Sequence, residues 1–168
     1  MDRTLAETDE RFRQVIPYVV LREHNRLFSY VRTRRGQEQR LHQMRSIGVG
    51  GHINPTDFTT SIVPHQEDPI AALMVAARRE IAEEIMGFGP SELKWLGFIC
   101  SNATDVERVH FGIVYVADVQ AESIELSQEG RMSDAMFVDI DDLRQSKSNY
   151  EKWSAIVIDY LANDSRTL

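Results

Sequence analysis

A chain of 168 residues with 42% hydrophobic and 27% charged side chains can bury a core of ordinary size, and is too evenly mixed for a disordered or membrane protein. Its formal net charge of −7 argues against non-specific affinity for DNA or RNA polymers, so an anionic substrate has to be met by a metal or by local arginines. The single cysteine, Cys100, excludes an internal disulfide and fits a reducing compartment.

No apolar run approaches the length of a transmembrane helix, and residues 1–7 lack the basic start and apolar stretch of a secretory signal. The expectation is a cytoplasmic protein of one domain over residues 1–168, with no membrane partner and with 1–12 as a loose end or short helix. A homodimer is compatible with this composition.

Residues 14–22 are β-rich, and Pro17 points to an edge strand or to the start of pairing. His24 and Asn25 supply a turn into a second strand over 27–33, which makes a hairpin. The stretch 32–45 carries Arg32, Arg34, Arg35, Arg40 and Arg45 against one acid, Glu38. It reads either as a solvated hairpin tip or as a place where an arginine fork holds substrate phosphate. An apolar run then ends in Gly50 and Gly51, followed by His52, Ile53, Asn54 and Pro55. Glycine there lets a backbone carbonyl approach a ligand closely.

Asp68 and Pro69 read as N-cap and first residue of a helix whose Ile70, Met74, Ala77, Ile81 and Ile85 form one apolar stripe. Beside the stripe, Glu80, Glu83 and Glu84 share one helix edge. Like charges at this spacing cost about 0.2–0.5 kcal/mol per pair when nothing neutralises them. Arg79 can pair with Glu83, which leaves Glu80 and Glu84 without a cation on the helix. A hard divalent ion would supply one; taken alone, the edge reads equally as a solvated acidic face.

Residues 87–90 break the helical pattern, and 93–100 reads as a strand that buries Cys100 as a structural thiol. A polar loop at 101–108 carries Asp105 and Glu107. In the longest strand signal, 109–119, both faces are apolar, so it should be covered on both sides. His110 on it reads as a satisfied sheet histidine. Residues 136–140 form a short strand, with Asp141, Asp142 and Leu143 opening a turn. Ser148 and Glu151 have capping-box spacing ahead of a helix that presents Trp153, Ile156, Val157, Tyr160 and Leu161.

The Gly50-Gly51-His52 turn and the Arg79-Glu80-Ile81-Ala82-Glu83-Glu84 helix together resemble the Nudix box: glycine, five residues, glutamate, seven residues, then Arg-Glu-aliphatic-x-Glu-Glu-x-Gly-aliphatic. The chain departs from it in two ways. Met86 stands where the family has glycine, with Gly87 one residue late, and the positions of the first box glycine and glutamate hold His65 and Ala71. Glu67, Asp68 and Pro69 look like the family's helix opening displaced upstream by about one helical turn, which makes 56–65 a loop insertion. The segment from Val109 to Gly112, with the turn at 50–55, also resembles a group of Nudix proteins described as candidate phosphoesterases.

The resemblance covers most of the chain and implies an α/β/α sandwich with a mixed β-sheet between helices. It also implies a Mg²⁺-dependent hydrolase, with Mn²⁺ able to substitute, acting on a diphosphate linked to a nucleoside or another organic group. Glu80, Glu83 and Glu84 would be carboxylate ligands, with the Gly51 carbonyl as a further one. Glu80 is one candidate general base, with Asp105, Glu107 and Glu129 as substitutes. Arg79 would orient the acids. Two other readings are a Nudix-fold binding or sensing protein without hydrolysis, and a diphosphate isomerase, for which Cys100 is the sole candidate cysteine. The missing glycine leads to the expectation that the helix runs one residue further and closes on Gly87 in the left-handed conformation.

Overall fold

A computed structural model describes residues 3–33, 44–58, 68–89, 91–128 and 131–163. A short helix, α1 (Arg3–Ala6), precedes the hairpin of β1 (Gln14–Glu23) and β2 (Arg26–Arg32), which turns through His24 at φ 52°. β3 (Arg45–Ser46) and β4 (Gly48–Gly50) come next, then a 3-10 turn at Pro55–Phe58 and the long helix α2 (Pro69–Glu84). After it come β5 (Ile85–Met86), β6 (Lys94–Ile99), α3 (Asp105–Arg108) and β7 (His110–Asp118). The chain continues through β8 (Glu125–Leu126), β9 (Met132–Asp139), α4 (Ile140–Gln145) and α5 (Lys152–Asn163).

Seven strands form one mixed sheet in the order β3-β2-β1-β7-β6, with β4 also on β1 and β9 also on β2. β1 and β7 run parallel in the centre, from Gln14 beside His110 to Arg22 beside Asp118. Pro17 therefore does not mark an edge. It stands one residue before Tyr18, where pairing with β4 begins at Gly50.

The period-two alternation of β1 sends its side chains into two cores. Tyr18 and Val20 join Val114, Val116, Leu143, Val157, Ile158 and Leu161 beneath α4 and α5. Val19 and Leu21 join Tyr115, Ala117, Leu73, Ala77 and Ile81 beneath α2. Helices thus cover both faces of the sheet, as the apolar pattern on both sides of β7 required. Among the described residues, no helix is long and apolar enough to cross a membrane.

α2 starts where the sequence places it. Pro69 is its first residue, and the Asp68 side chain accepts from the amides of Ile70 and Ala71 at 2.9 and 3.2 Å. Its buried face is rotated from the expected stripe, with Ala72, Leu73, Ala76, Ala77 and Ile81 inside and Ile70 66% exposed. Small alanines let the helix lie close to the sheet, so the larger Ile70 is left at the rim.

The far end of α2 corrects an expectation. The helix does not run on to Gly87; it stops at Glu84, and Ile85 and Met86 pair with Leu126 and Glu125. Extended pairing has captured the two residues that would have continued the helix. Gly87 does have positive φ, 78°, but as the exit from β5, where a Cβ would lie 1.7 Å from the carbonyl oxygen of Ser123.

Two later assignments also change. Asp141, Asp142 and Leu143 belong to α4, capped by Asp139, rather than to a turn. Glu151 lies immediately before α5 and turns inward, where it accepts from Tyr18, Ser46 and Arg32. A capping box is formed instead by Thr104 with Glu107 at the start of α3, a stretch whose polarity reads as loop.

Candidate active site

β4 delivers Gly51 against the middle of α2. A Cβ at Gly51 would sit 2.3 Å from Cδ of Glu80, so only glycine lets this backbone lie against that carboxylate. Arg79 points back toward the same place. Its guanidinium donates to Glu80 Oε1 at 2.7 Å, to Glu83 Oε1 at 3.1 Å and to the carbonyl of His52 at 2.8 Å.

Two residues not singled out in the sequence complete the cluster. Asp57, 3% exposed in the 3-10 turn, takes Arg79 through two parallel bonds, both 3.0 Å long. Arg131, just ahead of β9, donates to Glu83 Oε2 and Glu84 Oε1, each at 3.2 Å. Neither was legible as a partner, because only the fold brings the stretch after β4 and the start of β9 to one helix edge. The Asp57 side chain also accepts from the amide of Asn54 at 2.7 Å, a local turn that an Asn-Pro sequence favours.

The hydrogen bond from Arg79 holds the Asp57 carboxyl below its ordinary range, against the effect of its burial. Glu80 goes the other way. Burial pushes its carboxyl up, and the bond from Arg79 opposes this only in part. Two carboxyls that share one arginine are thus shifted in opposite directions, Asp57 by its ion pair and Glu80 by its burial.

Glu80 lies against Gly51, Arg79 links Glu80 to Glu83, and Arg131 links Glu83 to Glu84; the other nominated residues are placed as follows. Glu107 is buried, and its side chain accepts from Ser101 and from the amide of Thr104. Asp105 is exposed and pairs with Arg108. Glu129 lies outside the described residues, as do Arg34, Arg35 and Arg40. Arg32 and Arg45 are engaged with Glu151 and Asp134. Cys100 is exposed just after β6 rather than buried. Burial of the His110 side chain fits the sheet reading, but its ring meets that of His52.

The donors at Gly51 and the α2 edge are all oxygens, the chemistry a hard divalent cation takes, and a Cβ at Gly51 would fill the space beside Glu80; among the described residues, however, three side-chain ligand atoms converge within 4.8 Å only at Glu7, His52 and His110.

No family model matches the chain. Protein YmaB of Bacillus subtilis (strain 168) is 30% identical over 166 residues, covering 96% of this chain and 77% of that protein. The crystal structure of Tm1382, a candidate Nudix hydrolase, aligns with a TM-score of 0.75 at 28% identity, over 97% of this chain and 78% of its own. A MutT Nudix hydrolase from Burkholderia pseudomallei aligns with a TM-score of 0.61 at 18% identity, over 87% of this chain and 95% of that one, which bears on fold alone.

Proposed function

The chain belongs to the Nudix superfamily, and on that premise we propose that it is a Mg²⁺-dependent hydrolase cleaving a diphosphate linked to a nucleoside or another organic group. The observation that carries this reading is the seat of the Glu80 carboxylate against Gly51, with Glu83 and Glu84 gathered beside it by Arg79 and Arg131.

In this reading the Gly51 carbonyl and the carboxylates of Glu80, Glu83 and Glu84 hold Mg²⁺, with Mn²⁺ able to substitute. The cation, when bound, neutralises phosphate oxygens and lowers the pKa of an attacking water. Glu80, seated against Gly51 and oriented by Arg79, acts as the general base. Arg79 stays on Asp57 and the His52 carbonyl, so it orients Glu80 and Glu83 without reaching for substrate. Met86 in place of the box glycine does not disturb this set, because the helix has already ended at Glu84.

The test is a panel of nucleoside and non-nucleoside diphosphates with Mg²⁺ or Mn²⁺, read by release of inorganic phosphate or of a monophosphate. Metal-dependent turnover of one class is expected. A protein that binds Mn²⁺ yet cleaves nothing in the panel would overturn hydrolysis in favour of a binding role.

A further inference from the structure

At the N-terminal end of β7 three side chains from distant parts of the chain converge. Glu7 follows α1, His52 follows Gly51 at the end of β4, and His110 opens β7. The His110 ring is buried, and its Nδ1 lies 2.7 Å from the carbonyl oxygen of Val106. A carbonyl can only accept, so the hydrogen of neutral His110 sits on Nδ1 and Nε2 presents a lone pair inward. A carbonyl bond at the far ring nitrogen is also how metal-binding histidines are held in orientation.

The lone pair faces two other donors. His110 Nε2 is 3.3 Å from His52 Nε2 and 3.8 Å from Glu7 Oε1, and the latter two atoms are 3.4 Å apart. These separations are long for hydrogen bonds, which lie at about 2.7–3.2 Å. Two of them match the edges of a tetrahedron, since metal–ligand distances of about 2.0–2.1 Å give ligand–ligand edges of about 3.3–3.4 Å, and the third, from His110 to Glu7, is wider at 3.8 Å. The two rings are set edge-on, 67° apart with centroids at 5.4 Å, so both nitrogens can point at one centre. Gln14 donates to Glu7 Oε1 at 3.2 Å and approaches His110 Nε2 at 3.4 Å.

We propose that Glu7, His52 and His110 form a second metal site, selective for a cation of the zinc class, that staples the N-terminal segment to the ends of β4 and β7. Two imidazoles and one carboxylate favour zinc-like ions over Mg²⁺, which prefers oxygen alone. With three protein ligands, water completes the tetrahedron. The site shares no ligand with the carboxylate cluster, and the inference stands whether or not the chain is a hydrolase.

The experiment is titration of the metal-stripped full chain with Zn²⁺ and Co²⁺ under excess Mg²⁺. One equivalent of Zn²⁺ should bind and raise the melting temperature, and Co²⁺ should give the intense visible absorption of a four-coordinate centre. His110→Gln and Glu7→Gln should each weaken Zn²⁺ binding by about tenfold or more, while Glu83→Gln leaves it unchanged. Should His110→Gln fail to fold, the partly exposed Glu7 decides the matter alone. Wild-type binding by Glu7→Gln, or Zn²⁺ binding lost only in Glu83→Gln, would overturn the site.

Discussion

A single buried acid and a cluster of four lie on opposite faces of the central sheet. Beneath α5, Glu151 is buried with a guanidinium and three hydroxyls: Arg32 at 2.9 Å, Ser46 at 2.6 Å, Tyr18 at 3.2 Å and Ser154 at 3.4 Å. Beneath α2, Arg79 and Arg131 are shared among Asp57, Glu80, Glu83 and Glu84, with Arg79 alone serving three of them. The first arrangement matches one charge with one charge and closes it with neutral donors, as a group needed for folding must be. The second crowds carboxylates at a helix edge beside a glycine cradle. Burial of an acid is therefore not what distinguishes a site; the sharing of cations is.

The sharpest way to break that contrast is to neutralise one acid on each side. Glu151→Gln leaves Arg32 without its buried partner and should cost about 3 kcal/mol, read as a lower denaturant midpoint, while Mn²⁺ titration stays as in wild type. If the proposed function holds, Glu84→Gln should lower hydrolysis about 100-fold by removing the charge of a proposed ligand, and weaken Mn²⁺ binding with little change in midpoint. If both variants weakened Mn²⁺ equally, the two clusters would not differ in kind.

Two adjacent glycines sharpen it further. A Cβ at Gly50 would fall 2.0 Å from the backbone oxygen of Pro17, whereas one at Gly51 meets only the end of the Glu80 side chain. Gly50→Ala should therefore destabilise the fold by about 1–3 kcal/mol. Gly51→Ala should fold nearly normally, because Glu80 can swing aside, yet lose about tenfold in Mn²⁺ affinity as a ligand is displaced. Calorimetric titration beside a thermal melt of each variant separates the outcomes; an undiminished affinity in Gly51→Ala would remove the cradle from the site.

What the sequence allowed to be read follows from how local each signal was. The hairpin at His24, the α2 start at Asp68, the doubly covered β7 and the seat of Glu80 against Gly51 rest on turn chemistry, capping and periodicity within a few residues, or on the resemblance. Asp57 and Arg131 were not legible, since their roles exist only once the turn after β4 and the start of β9 are folded onto one helix edge. Glu151 was misread for the same reason: its spacing from Ser148 suits a capping box, and tertiary hydrogen bonds to Tyr18 and Ser46 overrode it. The end of α2 was misplaced because pairing of Ile85 and Met86 with β8 lies beyond any local rule.

A milder change tests the neutral donors around Glu151. Tyr18, whose hydroxyl is raised well above its usual range by burial, donates to Glu151 and also lies 2.7 Å from the Ser154 hydroxyl. Tyr18→Phe should cost about 1–2 kcal/mol and leave metal binding untouched, since Arg32 and Ser46 still hold the acid. A loss as large as that of Glu151→Gln would mean that the hydroxyls, not the guanidinium, keep this charge.

The smallest effect expected is one of pH, and it separates two acids that share one arginine. Burial raises the Glu80 carboxyl in the folded chain, so as pH climbs from the ordinary glutamate range of about 4.3 the unfolded chain loses this proton first. Stability from Glu80 is full below that range and falls as pH passes through the raised value. Asp57 behaves oppositely: its lowered carboxyl contributes stability above the ordinary aspartate range, and this is lost as pH falls through the lowered value. Glu80→Gln removes the first dependence and keeps the second. In metal-free protein its melting temperature should therefore gain on wild type as pH rises toward neutrality. Saturating Mn²⁺ should reverse the gain, because a bound cation favours the ionised carboxylate that glutamine lacks. Parallel melting curves at every pH, with and without Mn²⁺, would show that Glu80 neither carries a raised carboxyl nor meets the metal.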